Sequence, residues 1–129
     1  MSPELLEQSI NLECFESFLK CDIYAFALVL WEVCRRVRPA HEYRPPYWEL
    51  APSDPSFDDM RKIVCIDAAR PTPPADDHPT MVGMANLMRE CWHASASVRL
   101  PALRVKKTLL KLAAADPAVR LPAAGEDAV

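Results

Sequence analysis

Nine consecutive residues, Ile23 to Trp31, carry no charge, and after Glu32 the apolar run resumes with Val33 and Cys34. On a helical projection these side chains do not collect on one face. They go nearly all the way round, and a helix of that kind has to be buried on every side. Asp22 stands just before the run, where a short polar side chain can accept from the first free backbone N–H groups. Arg35 and Arg36 stand at its far end, where positive charge suits the helix dipole. Residues 21–36 therefore predict a central, almost wholly buried helix of about four turns. The run is too short for a membrane span, which takes roughly 20 apolar residues.

A helix this apolar needs a shell, and composition bounds what can supply it. The 129 residues suffice for one domain or part of one, and at 50% hydrophobic the chain is not compositionally disordered. Thirteen prolines against two glycines put Pro in charge of the loops and leave no material for a Gly-rich phosphate cradle. A net charge of −3 supplies no global basic field for nucleic acid. No signal peptide, transit peptide or transmembrane segment is visible. The five cysteines (14, 21, 34, 65 and 91) are an odd set without a C-x-x-C pair, which suits reduced core thiols of a cytosolic protein. Zinc held by Cys14, Cys21 and a histidine is the poorer alternative, because the spacing departs from usual zinc ligand sets.

The remaining elements follow from caps, prolines and periodicity. Ser2, Pro3 and Glu4 open a short helix that runs to about Glu7. Residues 9–20 are mixed, with Phe15 and Phe18 placed to dock on the central helix. Prolines at 39, 45, 46, 52 and 55 forbid a long helix there, and Tyr43, Tyr47 and Trp48 are the side chains available to pack that segment down. Ser56 caps a second helix with Asp58 and Asp59 in its first turn, and Met60, Ile63 and Val64 give it an apolar face up to about Asp67. Residues 70–79 are a second Pro-rich loop. A third helix over 80–92 places Met81, Met84, Leu87, Met88 and Cys91 at helical spacing, a pattern of core filling rather than of a Met-rich binding surface. A fourth over 101–115 puts Leu103, Leu109, Leu110 and Leu112 inward and Arg104, Lys106, Lys107 and Lys111 outward. Its basic face reads as solvated surface, with an acidic partner or lipid headgroups as lesser alternatives. Residues 116–129 read as a disordered tail. The expected fold class is all-α: one buried helix, three amphipathic helices around it, and ordered Pro-rich loops.

No reaction follows from these residues. The cysteines and His41, His78 and His93 lie in no nucleophile motif. Asp76, Asp77 and His78 sit in a Pro-rich loop without further spaced ligands, and Asp54, Asp58 and Asp59 are most simply helix-start charges.

Five collinear blocks are more specific. CFESF (14–18), WEVCRR (31–36), YRPPYWELAPSDPSFDDMRKIVC (43–65), MRECW (88–92) and VRLPALRVKKTL (98–109) resemble the type I receptor serine/threonine kinases of the TGF-β and bone morphogenetic protein family, in wording nearest the activin receptor-like branch. Met1-Ser2-Pro3-Glu4 is similar to the A-P-E segment that closes a kinase activation loop. Asp22 to Glu32 is similar to the central helix of the large lobe. The resemblance covers residues 1 to about 112 and implies a partial kinase domain over 1–115. It implies that Glu4 pairs with Arg99, that Asp22 also holds the backbone of the catalytic loop, and that Trp31 is buried. It places the helix from Ser56 and the loop before it, with Tyr47, Trp48, Phe57 and Met60, on the substrate-docking side.

Departures accompany the match. The family's A-P-E alanine is Ser2, the glycine usual in its central helix is Ala27, and Pro101 replaces a capping threonine. Phosphoryl transfer uses a Gly-rich loop, a strand lysine, H-R-D with its Asn, and a D-F-G aspartate for Mg²⁺. No His here is followed by Arg, and no Asp-Phe-Gly occurs. The expectation is a C-terminal piece of the large lobe that binds no ATP or Mg²⁺ and holds no catalytic residue. Its parent, a single-pass plasma-membrane receptor with its kinase on the cytoplasmic side, would phosphorylate a Smad-type substrate. The alternative is a non-catalytic module that docks a kinase substrate, regulator or receptor partner. Either way α-helical packing should leave the central helix under-covered on one side, because the catalytic loop is not in this sequence.

Overall fold

The longest helix, α2 (Phe15–Arg35), begins six residues earlier than the apolar run suggests. The computed structural model describes residues 1–37 and 44–120. FESFLK contains neither Gly nor Pro, and Glu16 favours the positive end of the dipole, so the helix propagates straight through it. Three corrections follow. Cys14, not Asp22, occupies the N-cap position, and Asp22 lies inside the helix, exposed. Phe15 and Phe18 do not dock on the central helix; they belong to it, and both are exposed. Burial is not circumferential, as the apolar run alone requires, but one-sided, with the under-covered side that the resemblance implies. Cys21, Ile23, Tyr24, Ala27, Leu30, Trp31 and Cys34 enter the core, while Phe15, Leu19, Val29 and Val33 stay uncovered on the opposite stripe.

The core is built on the buried side of α2. α1 (Pro3–Leu6) is one turn long, and Leu6 enters the core. α3 (Phe57–Arg61) starts on a capping box: Ser56 Oγ accepts from the Asp59 N–H at 3.1 Å, and Asp59 Oδ2 accepts from the Ser56 N–H at 2.9 Å. It runs on as one π-helical turn, Lys62–Ile66, that buries Ile63 and Val64. α4 (Pro79–Cys91) packs along α2, with Met81, Leu87, Met88 and Cys91 buried, the register the spacing predicts. His78 caps it, accepting from the Thr80 N–H at 3.2 Å.

α5 (Ala102–Ala115) follows a 3₁₀ turn, Ala96–Val98, and packs on α4. Its inward seam is Val105, Leu109 and Leu112, spaced i, i+4, i+7; Leu103 and Leu110 point outward, against expectation. A helix cannot bury 103 and 110 together with 105 and 112, and the smaller Val105 wins because Leu112 fills the space beside Gly83 of α4. Beyond the helix, Asp116 Oδ2 accepts from Thr80 Oγ1 at 2.8 Å, so the first residue of the expected tail is tied to the start of α4. The Pro-rich loop before α4 is pinned to α2 where Trp31 Nε1 donates to the Thr72 carbonyl at 2.7 Å. No strand occurs among the described residues. His41, Tyr43 and residues 121–129 of the expected tail lie outside them.

Candidate functional site

Two places in the molecule concentrate the residues that the sequence singles out. The first is an ion pair between α1 and the turn before α5. Glu4 stands in the first turn of α1, and Arg99 ends the 3₁₀ turn in extended backbone that aims its side chain inward. Arg99 is 1% exposed. Its Nη1 donates to Glu4 Oε2 at 2.6 Å and its Nη2 to Oε1 at 2.8 Å, the fork-to-fork geometry that only arginine offers a carboxylate. Nε donates to the His93 carbonyl at 2.8 Å, Nη1 to that of Lys20 at 3.1 Å and Nη2 to that of Ala94 at 3.4 Å. Lys20 Nζ answers by donating to the Arg99 carbonyl at 2.8 Å. Burial works to raise the Glu4 carboxyl, but the hydrogen bonds from Arg99 and the backbone, with the Arg99 charge, outweigh it and hold the carboxyl below the usual glutamate range. Beside the pair, Ser2 Oγ donates to Cys21 Sγ at 3.2 Å. Burial, together with the Glu4 charge, pushes the Cys21 thiol up, so it stays neutral.

Two guanidinium groups lie over the Tyr24 ring, Arg99 at 5.0 Å and Arg70 at 5.2 Å from its centroid. Its hydroxyl shares a 2.6 Å hydrogen bond with that of Tyr47, and burial, then Tyr47, raises its pKa. Arg70 in turn donates to the carbonyls of Trp92 (2.8 Å), Val64 (3.1 Å) and Ala69 (2.7 Å). This clamp joins α2, the π turn, the end of α4 and the Pro-rich loop. Sequence reading missed Arg70 because its partners are backbone carbonyls, which carry no side-chain signature.

The second place is an apolar groove of about 850 Å³ between α1, the 44–56 loop and α3. Trp48, Phe57 and Met60 line it with prolines 45, 46, 52 and 55. Arg44 stacks on Trp48 at 5.0 Å, and Arg35 lies over Trp31 at 5.1 Å and Trp48 at 6.0 Å, which fixes the indole at the rim. Of the four residues expected on the docking side, three meet here. Tyr47 does not. It adopts a positive φ of 69°, which turns its side chain away from the groove and into the core against Tyr24. Trp31 is buried, and Asp22 lies on the open side of α2 beside Lys106.

Among the described residues no three His, Cys, Asp or Glu side chains gather as a cation donor set. Gly83 packs inside α4 against Leu112 rather than in a phosphate-binding loop. Nor is any helix among them long and apolar enough to cross a membrane.

No family model matches the chain. Individual proteins do. Activin receptor type-1 of Gallus gallus is 50% identical over 117 residues, and that of Homo sapiens 49% identical over 117; each alignment covers 87% of this chain. An activin receptor type-1-like protein of Rattus norvegicus is 51% identical over 118 residues, again 87% of the chain. The chain spans only 23% of the length of each relative.

Proposed function

The chain belongs to the TGF-β and bone morphogenetic protein family of type I receptor serine/threonine kinases, matching the C-terminal part of the kinase large lobe, and on that premise we propose that its role is structural within such a lobe rather than catalytic by itself. In the intact kinase the remainder of the domain would bind ATP and Mg²⁺ and transfer the γ-phosphate to serine of a Smad-type substrate. These residues would form the base that holds the end of the activation segment and offers a docking face. The kinase would lie on the cytoplasmic side of a single-pass plasma-membrane receptor.

One observation carries the reading: the uncovered stripe of α2. Phe15, Leu19, Val29 and Val33 leave a long apolar strip open along a helix whose other side is fully packed. Leaving such side chains in water forgoes about 1.5–3 kcal/mol apiece relative to full burial. A further part of the lobe seated on the strip would recover that energy. The purified chain should therefore bind a hydrophobic dye, associate in solution, and incorporate no phosphate from labelled ATP into itself or a Smad-type protein. Phosphate transfer by the chain alone, or a sharp cooperative melt of a dye-free monomer, refutes the reading.

The apolar groove favours a second reading, a docking module. Trp48→Ala with Phe57→Ala should abolish retention of a Smad-type substrate in a pull-down, and equal recovery by both chains counts against it. Tyr47 is unsuited to that test, because it supports the core.

A further inference from the structure

The outer face of α5 has no part in the reading above. Its sequence, ALRVKKTLLKLAAA, holds four cations and no carboxylate in a chain whose net charge is −3. A helix that only needs solvation interleaves both signs at i, i+4 spacing; this one segregates them. Arg104, Lys106, Lys107 and Lys111 are all exposed, and none pairs with a carboxylate among the described residues. Asp22 lines the same notch as Lys106, and Asp116 stands at the helix end.

The rotation of the helix adds a second observation. At about 100° per residue, Leu103 and Leu110 share a stripe on the side turned away from the Val105–Leu109–Leu112 seam, next to Lys107 at the far pole, and they stand one heptad and about 10 Å apart along the axis. They are 62% and 44% exposed. The four cations flank that leucine stripe, Lys106 on one side and Lys107, Lys111 and Arg104 on the other. Leu110 also forms the lip of an apolar notch of about 440 Å³ lined by Ile23, Phe26, Ala102 and Leu109. Exposed aliphatic side chains flanked by cations on one helix face match a broad anionic surface with an apolar layer beneath it. An acidic peptide would satisfy the cations but leave the two leucines in water.

We propose that α5 lays this outer face on an anionic lipid bilayer. Leu103 and Leu110 enter the boundary between headgroups and acyl chains, and Arg104, Lys106, Lys107 and Lys111 meet the headgroup phosphates and carboxylates. The proposal does not depend on the kinase reading, since it uses neither the α2 stripe nor the groove.

Vesicle flotation of the full chain tests it, with phosphatidylcholine alone and with a minority of phosphatidylserine. The chain should float with the anionic vesicles, sink with the neutral ones, and release as salt rises. Each basic residue near such a surface strengthens partitioning roughly fivefold, so Lys107→Gln with Lys111→Gln should weaken it about 30-fold. Leu103→Ser with Leu110→Ser should weaken it while far-UV circular dichroism is unchanged, and Val29→Ser with Val33→Ser on α2 should not. Equal flotation with neutral vesicles, or loss only in the α2 variant, overturns the proposal by assigning attachment to the α2 stripe. Binding to polyglutamate without binding to vesicles overturns it in favour of an acidic polypeptide, and binding to neither overturns it outright.

Discussion

Replacing Arg99 by alanine should be among the most damaging single changes in this protein. All five N–H groups of the guanidinium are engaged, two on Glu4 and one each on the carbonyls of His93, Lys20 and Ala94. The Arg99 side chain is fully buried and that of Glu4 is 16% exposed. Truncation leaves a mostly buried carboxylate without its counter-charge and three carbonyls without a donor. Breaking a buried pair from one side costs about 3–5 kcal/mol, against a total stability of only about 5–15 kcal/mol for a domain. Urea unfolding followed by far-UV circular dichroism, at several protein concentrations, measures the change. Arg99→Lys keeps the charge but cannot reproduce the fork, so it should fall between wild type and alanine. The pair also sets an acid limb. The Glu4 carboxyl is held below its ordinary range when folded, so its contribution is present at neutral pH and above the ordinary glutamate range, and is lost as pH falls through the lower folded value. Glu4→Gln should flatten that limb. A loss below about 1 kcal/mol in Arg99→Ala, the range of exposed pairs, with an unchanged acid limb in Glu4→Gln, would refute the reasoning.

Two further substitutions test the packing. A β-carbon at position 83 would overlap the side chain of Leu112, so Gly83→Ala should lose about 1–3 kcal/mol to overpacking less about 1 kcal/mol gained in helix propensity; in a Leu112→Ala background the same change should stabilise, which thermal melts of the four combinations would show. Tyr47→Phe strips the buried Tyr24 hydroxyl of its partner and should cost about 1–3 kcal/mol by urea titration, whereas Phe57→Ala, at the half-exposed edge of the groove, should cost about 1 kcal/mol or less.

The elements legible in the sequence were those set by short-range chemistry. Ser56 with Asp59 three residues on is a capping box in sequence and in space, and Met81, Leu87, Met88 and Cys91 fall on one helical face whatever they pack against. Trp48, Phe57 and Met60, grouped from sequence, do line one groove, Phe57 and Met60 being one helical turn apart. Tyr47 could not be separated from Trp48 by pattern. The left-handed backbone at that one residue sends its ring inward. The rotation of α5 was misread for a related reason: its leucines occur on opposite sides, and the choice between them belongs to the surface of α4.

What the amino-acid sequence determined alone is a set of five helices, the capping box at Ser56, the proline breaks, and collinear blocks specific enough to identify the family; these depend on residues within a few positions of one another or on wording shared with relatives. Which side of α2 is closed, where Asp22 stands on it, and which carbonyls Arg70 and Arg99 hold were decided only by tertiary structure. The apolar run from Ile23 to Trp31 requires a partner surface but does not specify how much of one the fold supplies. Burial is a property of what lies opposite a side chain. Here α1, α4, the π turn and the Pro-rich loops cover one face of α2 and stop short of the other.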